Sequence, residues 1–402
     1  MRTRRSISEG FGRLCSLPVF SPPTWIPRRG FARGGAAKQL RGTTPPPHTT
    51  SGPKAVHRRG FTLIEAIVAI AVCSLLIALT LPAVQQARGV ARRADCGNRL
   101  RNINTAMLHL ADVSGRFPAC GNFTTTLGRH HNWVLDVLPW LGEDAIAAKW
   151  RREQPADDPV NDNLSRTHIA ILACPSDSSA TGHGDLSYVV SGGVGFTAFL
   201  NGVHDCPCNT NWFRLDLNGN GVVCPMLAKA DGYPSDRDFL LRMGLFFNET
   251  LDFPISRRHH SIATVLDGAS NTVSLSENVR TGYDSATAGA SPIARWSSPD
   301  PLLTSFYIGT PCLGGTCLTG QVDYSRANSG DAAINSGLRR PDGESAVPNS
   351  FHTQGVNMSF VDGHVQFVSE NIDGSVYASI VSPQGAMLKH TALEQLAPPA
   401  DY

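Results

Sequence analysis

One uninterrupted apolar run, residues 61–84, constrains this chain more than any other feature. It follows a basic stretch, begins after Gly60 at Phe61, and contains a single acid, Glu65. A helix of about 24 residues is roughly 36 Å long, which is enough to cross the hydrocarbon core of a bilayer. A lone carboxylate in such a segment is costly to bury and therefore indicates a partner. We expect residues 61–84 to form a transmembrane helix.

The junction resembles the N-terminus of type IV prepilins and of type II secretion pseudopilins. The resemblance rests on Gly60, Phe61, Glu65 and Pro82. It implies that a prepilin peptidase cuts after Gly60 and methylates Phe61. It also implies a single helix in the inner membrane, surrounded by membrane lipid, an ectodomain in the periplasm or at the cell surface, and pilin-like subunits as partners. In this family Glu65 would pair with the new N-terminus of a neighbouring subunit.

Two alternatives remain open for this segment. A plain signal anchor or signal peptide has a similar basic leader and apolar core. Glu65 can also be explained without a partner, because an acid near a helix N-terminus is favoured by the helix dipole.

Charge separates the leader from the rest of the chain. Residues 1–60 hold 12 of the 35 Lys and Arg residues and one of the 33 acids, so the rest has 23 basic and 32 acidic residues. A leader rich in Arg, Pro, Ser and Gly should not build a core, and a later start, such as the Val56 codon, would shorten it. The acidic remainder disfavours nucleic acid as a partner.

After the apolar run the pattern becomes amphipathic. Leu100, Ile103, Met107 and Leu110 recur at helical spacing, which predicts that residues 85–115 lay one stripe on a globular domain. A coiled-coil stalk is the alternative. Residues 116–402 contain short strand patterns between turn residues, so we expect a β-rich ectodomain. The predicted fold class is α+β: a long N-terminal helix packed on an antiparallel sheet with long loops, as in pilins.

Two hairpins are predicted in the ectodomain. Asp362-Gly363 lies between two alternating runs, which predicts a two-residue turn pairing Phe360 with Val365 and Met358 with Phe367. One sheet face would then be core and the other wet. A second hairpin is expected around the turn at 267–272, between strands at 262–266 and 273–277.

Several motifs, in their order along the chain, resemble those of a large bacterial family of prepilin-like proteins with a C-terminal domain of unknown function. The family carries a His, nine further residues and Asp-Gly near its end. The matching residues are Cys174, Asp177, Asp267, Gly268, Glu277, His352, Asp362 and Gly363. Its usual Gly-Gly before the last strands is Gln354-Gly355 here, and its Gly-Gly-Glu is Gln384-Gly385-Ala386. The resemblance implies a fold and a place in the envelope, and no reaction.

An enzymatic alternative would need His352, Asp362 and His364 to converge with Asp267 or Glu277. The simpler interpretation assigns Asp362-Gly363 to the turn and makes His364 the exposed partner of Val361. The adjacent pairs His130-His131 and His259-His260 are expected at the surface. We predict no catalytic residues.

One segment fits calcium. Asp216, Asn218 and Asn220 provide oxygens at the first, third and fifth positions of an EF-hand-type loop, with Gly221 sixth. Leu227 occupies the twelfth position, where a bidentate Glu is expected. The sequence leaves calcium open against an Asn-Gly-rich turn closed by local hydrogen bonds.

Ten cysteines favour an oxidising compartment. Local bridges can be drawn between Cys312 and Cys317, and from Cys206 or Cys208 to Cys224. A zinc site formed by His204 with Cys206, Cys208 and Cys224 is the rival interpretation. Connectivity cannot be read from sequence.

These observations predict a structural subunit or minor component of a type IV pilus or pseudopilus-like assembly. The alternative is a monomeric, membrane-anchored surface protein that binds a glycan or calcium and does not polymerise.

Overall fold

The computed structural model describes residues 61–124, 128–180, 182–194, 241–247, 249–250, 259–281, 296–299, 301–308, 324–340 and 345–387. Gly60 and the leader, the predicted calcium loop at 216–220, and the cysteines at 206, 208, 224, 312 and 317 lie outside these ranges. The chain divides into two units, residues 1–66 and 67–402.

One helix, α1 (Leu63–Ser114), continues for 52 residues. It is long and apolar enough to cross a membrane, and none of its most apolar stretch is buried. Further along, the residues that include Leu100, Ile103 and Met107 are buried against the ectodomain, so the predicted amphipathic stripe is confirmed. Pro82 lies within the helix. Gly115 follows with φ 72°, the left-handed conformation that commonly ends a helix.

Within the described ranges, eight strands form two sheets. The larger sheet has the order β6-β3-β5-β7-β8, and the smaller has the order β2-β1-β4. The bounds are β1 (Gly121–Thr124), β2 (Gly128–Asn132), β3 (Tyr188–Val194), β4 (Glu249–Thr250), β5 (Val273–Glu277), β6 (Ser305–Ile308), β7 (Gly355–Phe360) and β8 (Val365–Ser369). The α+β class is confirmed.

The larger sheet is mixed, whereas an antiparallel sheet was expected. β3 pairs antiparallel with β5 but parallel with β6. β5 lies between β3 and β6 in sequence, while β3 lies between β5 and β6 in the sheet.

Short helices also occur among the described residues. They are α2 (Trp133–Val137), α3 (Asp144–Lys149), α4 (Pro159–Ser165), α5 (Pro301–Thr304) and α6 (Gly374–Val381), with 3-10 turns at Leu138–Leu141, Ala170–Leu172, Ile262–Thr264, Tyr324–Arg326, Gly330–Ala332, Ser336–Arg339 and Gly385–Met387. Trp133, at the start of α2, and Trp150, just after α3, are both buried. The Asn132 side chain caps α2 by accepting a hydrogen bond from the Val134 N–H.

Apolar cores lie on both faces of the larger sheet. Leu100 and Met107 of α1 share one core with Tyr188 and Leu275. Tyr377 and Ile380 of α6 belong to the other core, with Val189, Val356 and Met358. Every residue of β7 is buried. The expectation that one face of this hairpin is wet is therefore wrong, because helices cover both faces.

The C-terminal hairpin has a different register from the one predicted. Ser359 pairs with Val365, and Met358 with Gln366. Gly363 N–H donates to the Phe360 carbonyl, Phe360 N–H donates to the His364 carbonyl, and Gly363 has φ 94°. This is a three-residue loop, a turn closed by a left-handed glycine. The predicted two-residue turn would require a positive φ at Asp362 as well, and Asp362 does not have one.

The prediction of the second hairpin is also wrong for its first strand. Residues Ile262–Thr264 form a 3-10 turn, capped reciprocally by Ser261 and Thr264. The N–H groups of Leu266 and Asp267 donate to the Pro383 carbonyl, so this backbone pairs with the C-terminal segment and not with β5.

Candidate functional site

The start of α1 carries the predicted processing residues Phe61 and Glu65. The Thr62 N–H and Oγ1 donate to Glu65 Oε2 at 2.9 and 2.8 Å, and the Glu65 N–H donates back to Thr62 Oγ1 at 3.3 Å. This reciprocal arrangement is a capping box. Within a single chain, the carboxylate is therefore held at the helix start by its own neighbours. A second chain would have to compete with Thr62 for it.

Exposed apolar side chains concentrate in the same part of the helix. Fourteen of the twenty large apolar side chains that are exposed among the described residues lie between Phe61 and Val90. Fully burying one such side chain is worth roughly 1.5–3 kcal/mol. A helix with this surface needs lipid or other apolar helices around it.

A second site lies where α1 meets the ectodomain, and we call it the cysteine cluster: Cys96, Cys174, Glu277 and His352. Cys96 of α1 forms a disulfide with Cys174. His352 Nε2 lies 3.3 Å from Glu277 Oε1 and 3.8 Å from Cys174 Sγ. All four residues are buried, and Glu277 is 0% exposed. The cluster thus combines a disulfide with a buried contact between a histidine and a carboxylate.

The surrounding residues fix Glu277 and His352 in place. Asn357 donates to both carboxylate oxygens of Glu277, from its backbone N–H at 2.8 Å and its side-chain nitrogen at 2.9 Å. Ser350 Oγ accepts from the His352 N–H. Residues on β5, β7 and the preceding loop therefore meet at this point.

Asp177 belongs to the support of this cluster. Its N–H closes a turn on the Cys174 carbonyl. Its carboxylate accepts hydrogen bonds from Ser179 and from Ser187 Oγ, and burial raises its pKa. On α1, Arg99 donates to the carbonyls of Ala170 and Ala173, just before Cys174. The Cys174 loop is thus held from both sides.

The remaining motif residues form a separate group, the double-turn cluster: Asp267, Gly268, Asp362 and Gly363. The Asp362 N–H donates to the Ala269 carbonyl, which joins the two turns. The Asp267 carboxylate accepts from Ser382 Oγ and from the N–H groups of Gly385 and Ala386. These contacts hold residues 384–386 against the turn that precedes β5. In the family pattern these three residues are Gly-Gly-Glu.

The residues of the enzymatic alternative do not converge as that alternative requires. His352 contacts Glu277 and Cys174, whereas His364 Nδ1 lies 2.6 Å from Asp362 on the exposed hairpin turn. His364 pairs with Phe360 across the loop and stacks on its ring, so the expected pairing with Val361 is wrong.

The histidine pairs are not at the surface. His130, His131 and His260 are buried. Burial lowers the pKa of His131 to about 4 and also lowers the pKa of His260. The surface prediction fails because β2 and the loop before Ile262 pack against neighbouring segments, which local sequence does not indicate.

A cavity of about 400 Å³ is lined in part by His131 and His259. Leu110 and Phe117 give it apolar walls. Its polar walls include an ion pair, Arg152 with Asp136 at 2.8 Å, and a contact between His259 and Glu249 at 3.3 Å. The buried Nδ1 of His131 has no hydrogen-bond partner among the described residues.

Sequence reasoning missed two residues of the cysteine cluster and its support. Cys96 is one of ten cysteines, and it was not assigned to a disulfide. Its position in the buried stripe, four residues before Leu100, is a signal that places it on the ectodomain face of α1. Asn357 was assigned to a wet sheet face, and only the packing of α1 over that face reveals its role.

Family comparisons agree with this architecture. Residues 56–81 match the prokaryotic N-terminal methylation motif. Residues 85–375 match the family described as protein of unknown function (DUF1559). No curated protein and no solved structure matches the chain. The resemblance inferred from the sequence motifs is confirmed. Since the second match spans more than half of the chain, this is a prepilin-like protein of the DUF1559 family with an N-terminal methylation motif.

Proposed function

We propose that the protein is a structural subunit or minor component of a type IV pilus or pseudopilus-like assembly. One observation carries the proposal: α1 is a single 52-residue helix whose first part is apolar and exposed while a later part is packed on the ectodomain. In the membrane, lipid covers the apolar part. In a filament, the same part of neighbouring subunits would replace lipid, and prepilin peptidase would release the N-terminus at Phe61.

Glu65 separates assembly from simple anchoring. In an assembly, the carboxylate of one subunit exchanges its contacts with Thr62 for the methylated amino group of Phe61 in a neighbour. A monomeric anchor makes no such exchange. Glu65→Ala should therefore abolish assembly and leave membrane insertion unchanged.

The experiment uses the full chain expressed together with a prepilin peptidase. Mass spectrometry of the membrane fraction should find methylated Phe61 as the N-terminus. Cross-linking between copies should then be lost in Glu65→Ala and retained in Asp112→Ala, which removes an exposed acid further along the same helix. An uncut leader, or equal cross-linking in both variants, contradicts the proposal.

The cavity beside His131 favours a second candidate function, a membrane-anchored ligand-binding protein. Carboxylates, an arginine, histidines and apolar walls around one cavity suit a sugar, whose hydroxyl groups both donate and accept while its ring faces pack on apolar surface. A panel of mono- and disaccharides should raise the melting temperature of the full chain, and Arg152→Ala should remove the increase. No increase with any sugar rejects this candidate.

Calcium binding by Asp216, Asn218 and Asn220 belongs to the same candidate function. A ligand that binds only the folded state stabilises it by mass action. Millimolar calcium should raise the melting temperature, and Asp216→Ala should abolish the effect. An unchanged melting temperature would leave an ordinary turn.

A further inference from the structure

The cysteine cluster contains polar groups that a disulfide does not need. A disulfide is apolar and is satisfied by its own covalent bond. Here two ionisable side chains, Glu277 and His352, are buried directly against it. Burying such groups is costly unless they have specific partners, so their placement beside the sulfur atoms requires a reason.

These four residues offer a metal-binding set. One donor atom from each of Cys96, Cys174, Glu277 and His352 lies within 4.8 Å of every other, and no other such group of three or more occurs in the part of the chain that the structure describes. Two thiolates, an imidazole and a carboxylate are common ligands of tetrahedral Zn²⁺. Donors around zinc are about 3.5 Å apart. The set is therefore close to the required size once the sulfurs separate.

Glu277 and His352 also have hydrogen-bond partners that hold them in place. Metal-bound carboxylates and histidines usually have hydrogen-bond partners that fix their orientation. Asn357 orients both oxygens of Glu277, and Ser350 holds the backbone of His352. His352 also borders an open groove of about 970 Å³ beside Pro175 and Phe351, which gives an ion a path from solvent.

We propose that the cysteine cluster is a redox-gated zinc site, closed as a disulfide when oxidised and able to hold Zn²⁺ when reduced. A reductant of the dithiol or phosphine class supplies two electrons that break the S–S bond, and two protons complete the two thiols. Zn²⁺ then displaces one proton from each thiol and forms two Zn–S bonds, with Glu277 and His352 Nε2 as the other ligands. In the reverse direction, an oxidant of the disulfide class takes two electrons, the S–S bond forms again and Zn²⁺ leaves.

Zinc would thereby replace one link between α1 and the ectodomain with another. The disulfide joins Cys96 of the helix to Cys174 of the ectodomain. The metal joins the same two residues and adds Glu277 at the end of β5. The helix keeps this link in both redox states, whereas reduction without zinc removes it.

Zinc stoichiometry of the purified full chain in detergent tests the proposal. The protein is reduced with a phosphine, given Zn²⁺, and freed of excess metal by gel filtration. Reduced wild type should retain about one zinc per chain more than the oxidised protein. His352→Gln and Glu277→Gln should each lose that equivalent, while His364→Gln, which changes an exposed histidine outside the cluster, should keep it. Cysteines elsewhere are the same in every variant. Any zinc that they hold therefore cancels when the reduced variants are compared with reduced wild type.

Thiol protection locates the metal without relying on the variants. In reduced wild type, zinc should slow alkylation of Cys96 and Cys174 at least about tenfold, as peptide mass spectrometry reports, because a metal-bound thiolate is a poor nucleophile. Zinc should also raise the melting temperature of the reduced protein. The same zinc content in the oxidised and reduced forms, or zinc retention that His352→Gln does not reduce, would overturn the proposal.

Discussion

At the scale of single residues, acids that accept several hydrogen bonds hold this ectodomain together. Asp267 illustrates the point, because its carboxylate receives three hydrogen bonds from residues 382–386. Hydrogen bonds to a charged group contribute more than neutral ones, and their loss leaves donors without partners. Motif acids that sequence analysis marks as candidates for chemistry can thus have a structural role.

Asp267→Ala should lower the free energy of unfolding by about 1–3 kcal/mol. Denaturant unfolding of the full chain in detergent measures it. Asp331→Ala is the matched control, because the Asp331 side chain is 95% exposed and its ion pair with Arg340 should contribute little. Equal effects of the two substitutions would contradict the structural role of Asp267.

His131 should make stability depend on pH. Burial lowers its pKa in the folded protein from 6.5 to about 4, despite Asp136 and Glu249 nearby, with Arg152 and His130 acting in the same direction as burial. The unfolded chain then binds a proton more readily than the folded one. The contribution of His131 to the free energy of unfolding is therefore complete above about pH 6.5. It is lost as pH falls towards 4, by about 1.4 kcal/mol per pH unit.

Because of His131, the unfolding free energy of the wild type should fall by about 3 kcal/mol between pH 6.5 and 4. His131→Gln should show a shallower decline over the same range, whereas His109→Gln, which replaces an exposed histidine of α1, should keep the wild-type slope. A wild-type slope in His131→Gln would refute the assignment. His260, whose pKa is also lowered, leaves a residual slope in every variant.

At the scale of elements, two residues with positive φ belong to the C-terminal hairpin or lie just before it. Gly363 has φ 94° in its turn, and Gln354 has φ 70° just before β7. The family's usual Gly-Gly at 354–355 is consistent with this geometry, because glycine adopts the left-handed conformation at little cost. At Gly355 the requirement is steric, since a Cβ would lie 2.1 Å from the Val368 carbonyl oxygen.

Substitutions at these two positions should have opposite effects. Gly363→Val should destabilise the ectodomain by about 1–3 kcal/mol, because a β-branched residue is strained there, although a Cβ would meet only Leu108 at 3.7 Å. Gln354→Gly should stabilise it by up to about 1 kcal/mol by relieving the same kind of strain. Thr353→Gly, at a residue with ordinary φ, should not stabilise. Thermal unfolding gives all three values, and a destabilised Gln354→Gly variant would refute the strain argument.

At the scale of the whole molecule, the Cys96–Cys174 disulfide joins the long helix to the ectodomain across 78 residues. Closing a loop of that length restricts the unfolded chain by an amount worth about 4 kcal/mol. Asn104 adds a second attachment, because it donates to the Phe360 carbonyl and accepts from Ser274 Oγ.

Reduction in the presence of a chelator should therefore lower the unfolding free energy by up to about 4 kcal/mol. The double variant Cys96→Ser with Cys174→Ser should start from the lower value and lose nothing further on reduction. Cys120 should stay unmodified by alkylating reagents throughout, because burial raises its pKa to about 12 and leaves little thiolate. A reductant effect that persists in the double variant would assign it to another cysteine pair.

The sequence by itself determined what depends on local pattern. The apolar run after Gly60, the buried stripe of α1 and the α+β class all follow from periodicity and turn residues, which neighbouring positions specify. The motif residues were also visible in order along the chain. Their distribution into two clusters was not.

Only the tertiary structure decided which distant residues meet. Cys96 and Cys174 pair because α1 crosses the sheet at β7, and the same crossing buries Asn357 against Glu277. The hairpin register depended on the loop geometry at Gly363. The burial of the histidines depended on segments that pack over them. Each outcome depends on contacts between residues far apart in sequence, whose energies no local pattern contains.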